Sequence, residues 1–212
     1  MFAMLIRAVT ITTFLLCSCF SAFAQENFPS VDAFLKATLR DGEQLTNSAK
    51  GDLNGDATED WVGVIHGRPE DGAPTYQLFL LVRGADGGYR IAAQTEKAEI
   101  AGMGCCWLED LTIKRGSIYI QNNAKTAATM EAATHQFKWY KGEWRLVGVR
   151  IYLTDHTPGA ESTTDTDMNV LTGLVIEKHQ KGDHRPVSTR RTKKFVVAYL
   201  RDFDFSNGFG IE

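Results

Sequence analysis

Ala132-Ala133-Thr134-His135-Gln136-Phe137-Lys138-Trp139-Tyr140-Lys141-Gly142-Glu143-Trp144-Arg145-Leu146-Val147-Gly148-Val149-Arg150-Ile151-Tyr152-Leu153 is the stretch that decides the fold. Two runs rich in branched and aromatic residues flank Lys141-Gly142, where glycine supplies the positive φ that a tight turn needs. In the first arm His135, Phe137 and Trp139 alternate with Gln136, Lys138 and Tyr140. The returning arm carries Trp144, Leu146, Val147, Val149 and Ile151. A period of two is the mark of a strand, so the stretch predicts a β-hairpin over 132–140 and 143–153, placed at the centre of a sheet.

Arg115-Gly116 separates the runs 110–115 and 117–122 in the same way and predicts a second hairpin. Further β-type runs, bounded by turn residues, cover 61–66, 75–83, 88–94, 173–179 and 189–200. Many short strands with regular turn signals predict a mainly β fold, an antiparallel sheet or sandwich. One helix precedes it: Val31, Phe34, Leu35, Thr38 and Leu39 have helical spacing, with Pro29 and Ser30 before them and Gly42 after, giving a capped helix over 30–40. Thr154 to Asp167, rich in Thr, Asp, Gly and Pro, reads as a surface loop.

The N-terminus has a different character. Arg7, the apolar stretch Ala8 to Phe20 and the small residues of Ala22-Phe23-Ala24 form the pattern of a secretory signal cleaved after Ala24. Leu16-Cys17-Ser18-Cys19 admits a second processing, in which Cys19 is acylated and anchors the chain to a lipid leaflet. The apolar run is shorter than the roughly 20 residues that span a bilayer and no other segment comes close to that length, so the mature chain, periplasmic or secreted, is expected to hold no transmembrane segment. Removing 24 of the 212 residues leaves 188, which we expect to form one domain over 25–212. The mature chain carries 22 basic and 26 acidic side chains, offering no electrostatic case for nucleic acid. Of four cysteines, only the adjacent Cys105-Cys106 lies beyond the signal, which excludes a disulfide framework; that pair either closes a strained ring or stays as two buried thiols.

The most specific local pattern is Gly51-Asp52-Leu53-Asn54-Gly55-Asp56-Ala57-Thr58-Glu59-Asp60, which leads directly into Trp61-Val62-Gly63-Val64-Ile65. Asp52, Asn54, Asp56 and Asp60 place oxygen-bearing side chains at loop positions 1, 3, 5 and 9, and the main-chain carbonyl of Thr58 falls at position 7. That set suits a hard cation taking six to eight oxygens at about 2.3–2.6 Å; calcium tolerates a flexible mixed cage better than magnesium. Three crowded carboxylates repel one another unless a positive charge lies between them. The competing assignment is an acidic Asx-turn that caps a strand without metal.

This loop resembles the calcium loops of integrin-type FG-GAP and related bacterial repeats, in which D-x-[DN]-x-D-G-x-x-D precedes a strand. It occurs once, so no propeller is implied. Ala57 stands where those loops have glycine, at a cost on the order of 1 kcal/mol if the turn is left-handed. Gly63 stands at position 12, where an EF-hand has its bidentate Glu. A wider resemblance follows the order of the helix, the Gly51–Asp56 loop, Gly87–Ala93, Gly102–Cys105, Trp139–Gly148 and Asn169–Gly173. It is similar in layout to exported bacterial proteins and lipoproteins, some of which inhibit lysozyme-like enzymes in the periplasm, including immunity proteins against cell-wall hydrolases.

Other features carry less chemistry. His66, His135, His156, His179 and His184 are scattered without metal-ligand spacing, and His135 shares a strand face with Phe137 and Trp139, as a packed histidine does. Lys178, Lys181, Arg185, Arg190, Arg191, Lys193 and Lys194 run against Asp183 alone, a stretch suited either to an anionic partner or to a solvated hairpin. No nucleophile elbow, P-loop or dinucleotide fingerprint is present, and Asp155-His156 lacks a companion nucleophile. The sequence therefore predicts a non-catalytic, calcium-stabilised binding protein. Its expected partner is an envelope protein or cell-wall component, for example a cell-wall hydrolase that it inhibits. The alternative is a periplasmic hydrolase with a site assembled from distant residues.

Overall fold

The computed structural model describes residues 26–67, 74–99 and 106–204. The signal segment 1–24 and Cys105 lie outside these residues. The described elements are β1 (Asn27–Phe28), α1 (Val31–Thr38), β2 (Glu43–Gly51), β3 (Asp60–Gly67), β4 (Thr75–Arg83), β5 (Tyr89–Gln94), β6 (Ala98–Glu99), β7 (Cys106–Lys114), β8 (Ser117–Lys125), β9 (Thr129–Tyr140), β10 (Glu143–Asp155), β11 (Ser162–Asn169), β12 (Leu174–Lys181), β13 (Val187–Thr192) and a 3₁₀ turn at Leu200–Asp202. They form two antiparallel sheets, ordered β1-β5-β4-β3-β2 with β6 beside β4, and β13-β12-β11-β10-β9-β8-β7. The fold is thus a β-sandwich with a short N-terminal helix.

Alternation explains how the layers stack. Val62, Val64, Leu78 and Leu80 point from β3 and β4 into a core shared with Leu111, Ile118, Ile120, Phe137, Leu146 and Val149 of the second sheet. The intervening Trp61, Ile65, Phe79 and Leu81 point the other way, onto Phe34 of α1 and onto Phe28. A sheet covered on both faces needs apolar residues at every position, which is why 61–65 and 78–82 read as continuous apolar runs. Ser30 caps α1, its Oγ accepting from Ala33 N at 3.1 Å. The hairpin of β9 and β10 lies at the middle of the seven-stranded sheet, and Lys141 (φ 53) and Gly142 (φ 85) both turn left-handed at its tip.

Two expectations require correction. Of residues 154–167 only 156–161 are a surface loop: Thr154 and Asp155 finish β10, and Ser162–Asn169 pairs with it from Gly148↔Asn169 to Asp155↔Ser162. Threonine is β-branched and suits a strand, and no apolar alternation announces this one because most of β11 borders solvent. The run 189–200 is not one strand either. β13 ends at Thr192, and the chain then crosses the sheet so that Ala198 O accepts from Leu146 N at 2.9 Å and Leu200 is fully buried in the shared core.

Candidate functional site

The acidic loop joins β2 to β3. Its backbone is held by a relay of side-chain oxygens, each accepting from the amide two residues on: Asn54 N donates to Asp52 (3.2 Å), Asp56 N to Asn54 (2.9 Å) and Thr58 N to Asp56 (2.8 Å). Asp52 also accepts from Gly55 N at 2.6 Å and Ala57 N at 3.0 Å. The Asp56 carboxylate accepts from the Thr58 hydroxyl as well, and from the Asn54 amide at 3.0 Å. These bonds, the Thr58 hydroxyl foremost, hold the Asp56 carboxyl below the usual carboxylate range. Gly55 (φ 84) and Ala57 (φ 62) are left-handed, so the turn does demand a left-handed residue at position 6 of the loop.

Asp60 has a different part. Its side chain is fully buried; one oxygen accepts from Leu53 N at 2.9 Å and the other from Arg83 N at 2.9 Å. The carboxylate therefore ties the start of the loop to the end of β4. Burial raises its pKa, and the negative charges of Asp56 and Asp52 add to that, against the two amide bonds. Gly63 is free of the loop for a packing reason: a Cβ there would stand 2.2 Å from the Trp61 ring, so no side chain could reach back as a twelfth-position ligand.

The donor set at 52, 54, 56, 58 and 60 is all oxygen and includes three carboxylates, chemistry that suits calcium. In the described conformation those carboxylates are spent on backbone amides. Among the described residues no three His, Cys, Asp or Glu side chains stand close enough together to hold a metal ion.

Beside the loop runs a groove that the sequence did not disclose. One lobe, about 320 Å³, lies between Leu53 and Asn54 of the loop, Arg90 and Ala92 of β5, and Trp139 and Trp144 at the tip of the β9–β10 hairpin. The second lobe, about 350 Å³, shares Ala92, Trp139 and Trp144 and continues past Gln94 and Glu143 to Tyr199 and Arg201. Trp139 and Trp144 are paired across the hairpin and meet edge to face, with ring centres 5.6 Å apart. Trp144 is buried, whereas Trp139 is 53% exposed because the inward face of the hairpin runs past the edge of the core. Glu143 pairs with Arg201 at 3.2 Å, and Arg201 lies over the Tyr199 ring at 4.7 Å. The one sequence signal for this groove was two tryptophans flanking one turn, more ring surface than a hairpin tip can bury. Arg90, Gln94, Tyr199 and Arg201 come together only through the fold.

The remaining candidates disperse. Strand alternation sends Lys178 and Arg190 to one face and Lys181 and Arg191 to the other. Lys178 stands opposite Asp165, which Arg150 binds through two bonds of 2.9 Å, and Arg191 lies 3.7 Å from Glu177. Asp155 accepts from Thr157 N at 2.8 Å. His135 is buried, its ring edge-on to Phe203 at 5.1 Å, and His179 bonds Thr164 at 3.1 Å. No described helix is long and apolar enough to cross a membrane. No family model, curated protein or solved structure matches the chain.

Proposed function

We propose that this protein is a non-catalytic binding module of the cell envelope, exported by residues 1–24, whose binding surface is the groove walled by the acidic loop and the Trp139–Trp144 hairpin tip. Calcium held by Asp52, Asn54, Asp56, the Thr58 carbonyl and Asp60 would stiffen that wall. The carboxylates would exchange some amide bonds for the cation, and the cation would cancel the repulsion that keeps them apart. The observation that carries this reading is the sharing of Leu53 and Asn54 between the loop and the groove. An ordered loop therefore means a formed binding surface, and loop stability and ligand affinity should rise and fall together.

The reading is tested by capture from envelope extracts on immobilised protein, with calcium and with chelator, using wild type and Trp139→Ala. An envelope component retained by wild type in calcium, released by chelator and missed by Trp139→Ala is the expected result. Retention indifferent to both would remove the groove and the loop from the function.

A further inference from the structure

We propose that the groove takes a short oligosaccharide built of flat pyranose rings with equatorial hydroxyls, a ligand class that rests on the binding-module reading above and makes it specific. Such a sugar has an apolar C–H face and a girdle of hydroxyls, each of which both donates and accepts. The groove offers the matching halves. Trp139 supplies an open ring surface, held edge to face against buried Trp144. Around it stand a carboxylate that accepts (Glu143), guanidinium groups that donate (Arg90 and Arg201), and a carboxamide that does both (Gln94).

Several of these polar groups are already fixed by partners. Arg90 is bonded to Asp86 at 2.6 Å and Arg201 to Glu143 at 3.2 Å, so a ligand would meet them oriented. A fatty ligand would leave these charged groups facing hydrocarbon, which is costly. Each lobe has a volume at the lower end of the roughly 300–1,000 Å³ range of ligand sites, and they share Ala92 and the two tryptophans. The shape is that of two adjoining subsites, one ring in each, with Trp139 between them.

The test is titration of the full chain with cellotetraose and with N-acetylchitotetraose in millimolar calcium, followed by calorimetry and by tryptophan fluorescence. Saturable binding of at least one of them is expected, weakened about tenfold or more in Trp139→Ala, the scale of one lost stacking contact. A smaller loss is expected in Arg201→Ala. Both side chains are more than half exposed, so the variants should still fold, and a cooperative melt within a few degrees of wild type, the scale of the lost ring and ion-pair contacts, excludes misfolding as the cause. Absence of saturable binding to both sugars, or binding unaffected by Trp139→Ala, would overturn the proposal. If the sugars fail while Trp139-dependent capture of an envelope protein or peptide persists, the saccharide class falls and the binding module stands. If both fail, the two fall together.

Discussion

Ala57 holds a left-handed conformation, φ 62, that an L-residue adopts at a cost on the order of 1 kcal/mol. Ala57→Gly should therefore raise the stability of the chelated protein by up to about 1 kcal/mol and tighten calcium binding, since the turn would be reached with less strain. Denaturant melts and calorimetric calcium titration of the variant measure the two effects. The strain was legible through the resemblance, because a side-chain-bearing residue occupies the place where the resembling loops have glycine. The role of Gly63 was not legible, since nothing in its neighbours says that the Trp61 ring folds back over its Cα.

Asp60 couples the loop to pH through a buried carboxyl whose pKa burial raises. Both of its oxygens are in use, so Asp60→Asn, with one acceptor oxygen, should leave either Leu53 N or Arg83 N unpaired at a cost of about 1–3 kcal/mol. Because burial raises its folded pKa above the unfolded value near 3.9, the protonated form favours the folded state. The stability that this shift contributes is fully present below the unfolded pKa and is lost as pH rises through the folded one. In chelator, the advantage of wild type over Asp60→Asn should shrink between about pH 4 and the folded pKa, then level off. Melts at stepped pH check this, and a constant advantage would contradict it.

At the scale of elements, the turns carried most of the information. Arg115-Gly116 and Lys141-Gly142 mark hairpins in the sequence, and both residues of each pair are left-handed in the fold. Asparagine enters that region more readily than arginine, so Arg115→Asn should stabilise the β7–β8 hairpin by some tenths of a kcal/mol up to about 1 kcal/mol, read as a rise in melting temperature. Strands with an apolar face, β3, β4, β9 and β10, announced themselves through alternation or continuous hydrophobicity. β2 and β11 did not. β2 alternates between half-buried and exposed positions with residues as polar as Gln44, Asn47 and Lys50. β11 offers mainly Ser and Thr on one face and Thr, Asp and Asn on the other, and its register is set by neighbours and by the Arg150–Asp165 pair. Pairing by backbone bonds with little apolar burial leaves no periodic trace in sequence.

For the whole molecule, the same limit applies to the groove. Leu53, Ala92, Trp139 and the Tyr199–Arg201 pair come from four separate segments that meet only because two sheets close face to face and the C-terminal stretch crosses back to bury Leu200. The loop was visible because its residues are consecutive. Leu53 and Asn54 belong to both features, so a cation that orders the loop should stabilise the fold that carries the groove. A ligand that binds only the folded state adds about 2.7 kcal/mol at a concentration 100 times its dissociation constant, which for a chain of this length moves melting by several degrees. The decisive measurement is a thermal melt of wild type and Asp56→Ala, each in millimolar calcium and in chelator. Wild type should show a calcium-dependent rise of several degrees that is absent in Asp56→Ala; identical wild-type melting in calcium and in chelator would contradict a calcium-ordered loop.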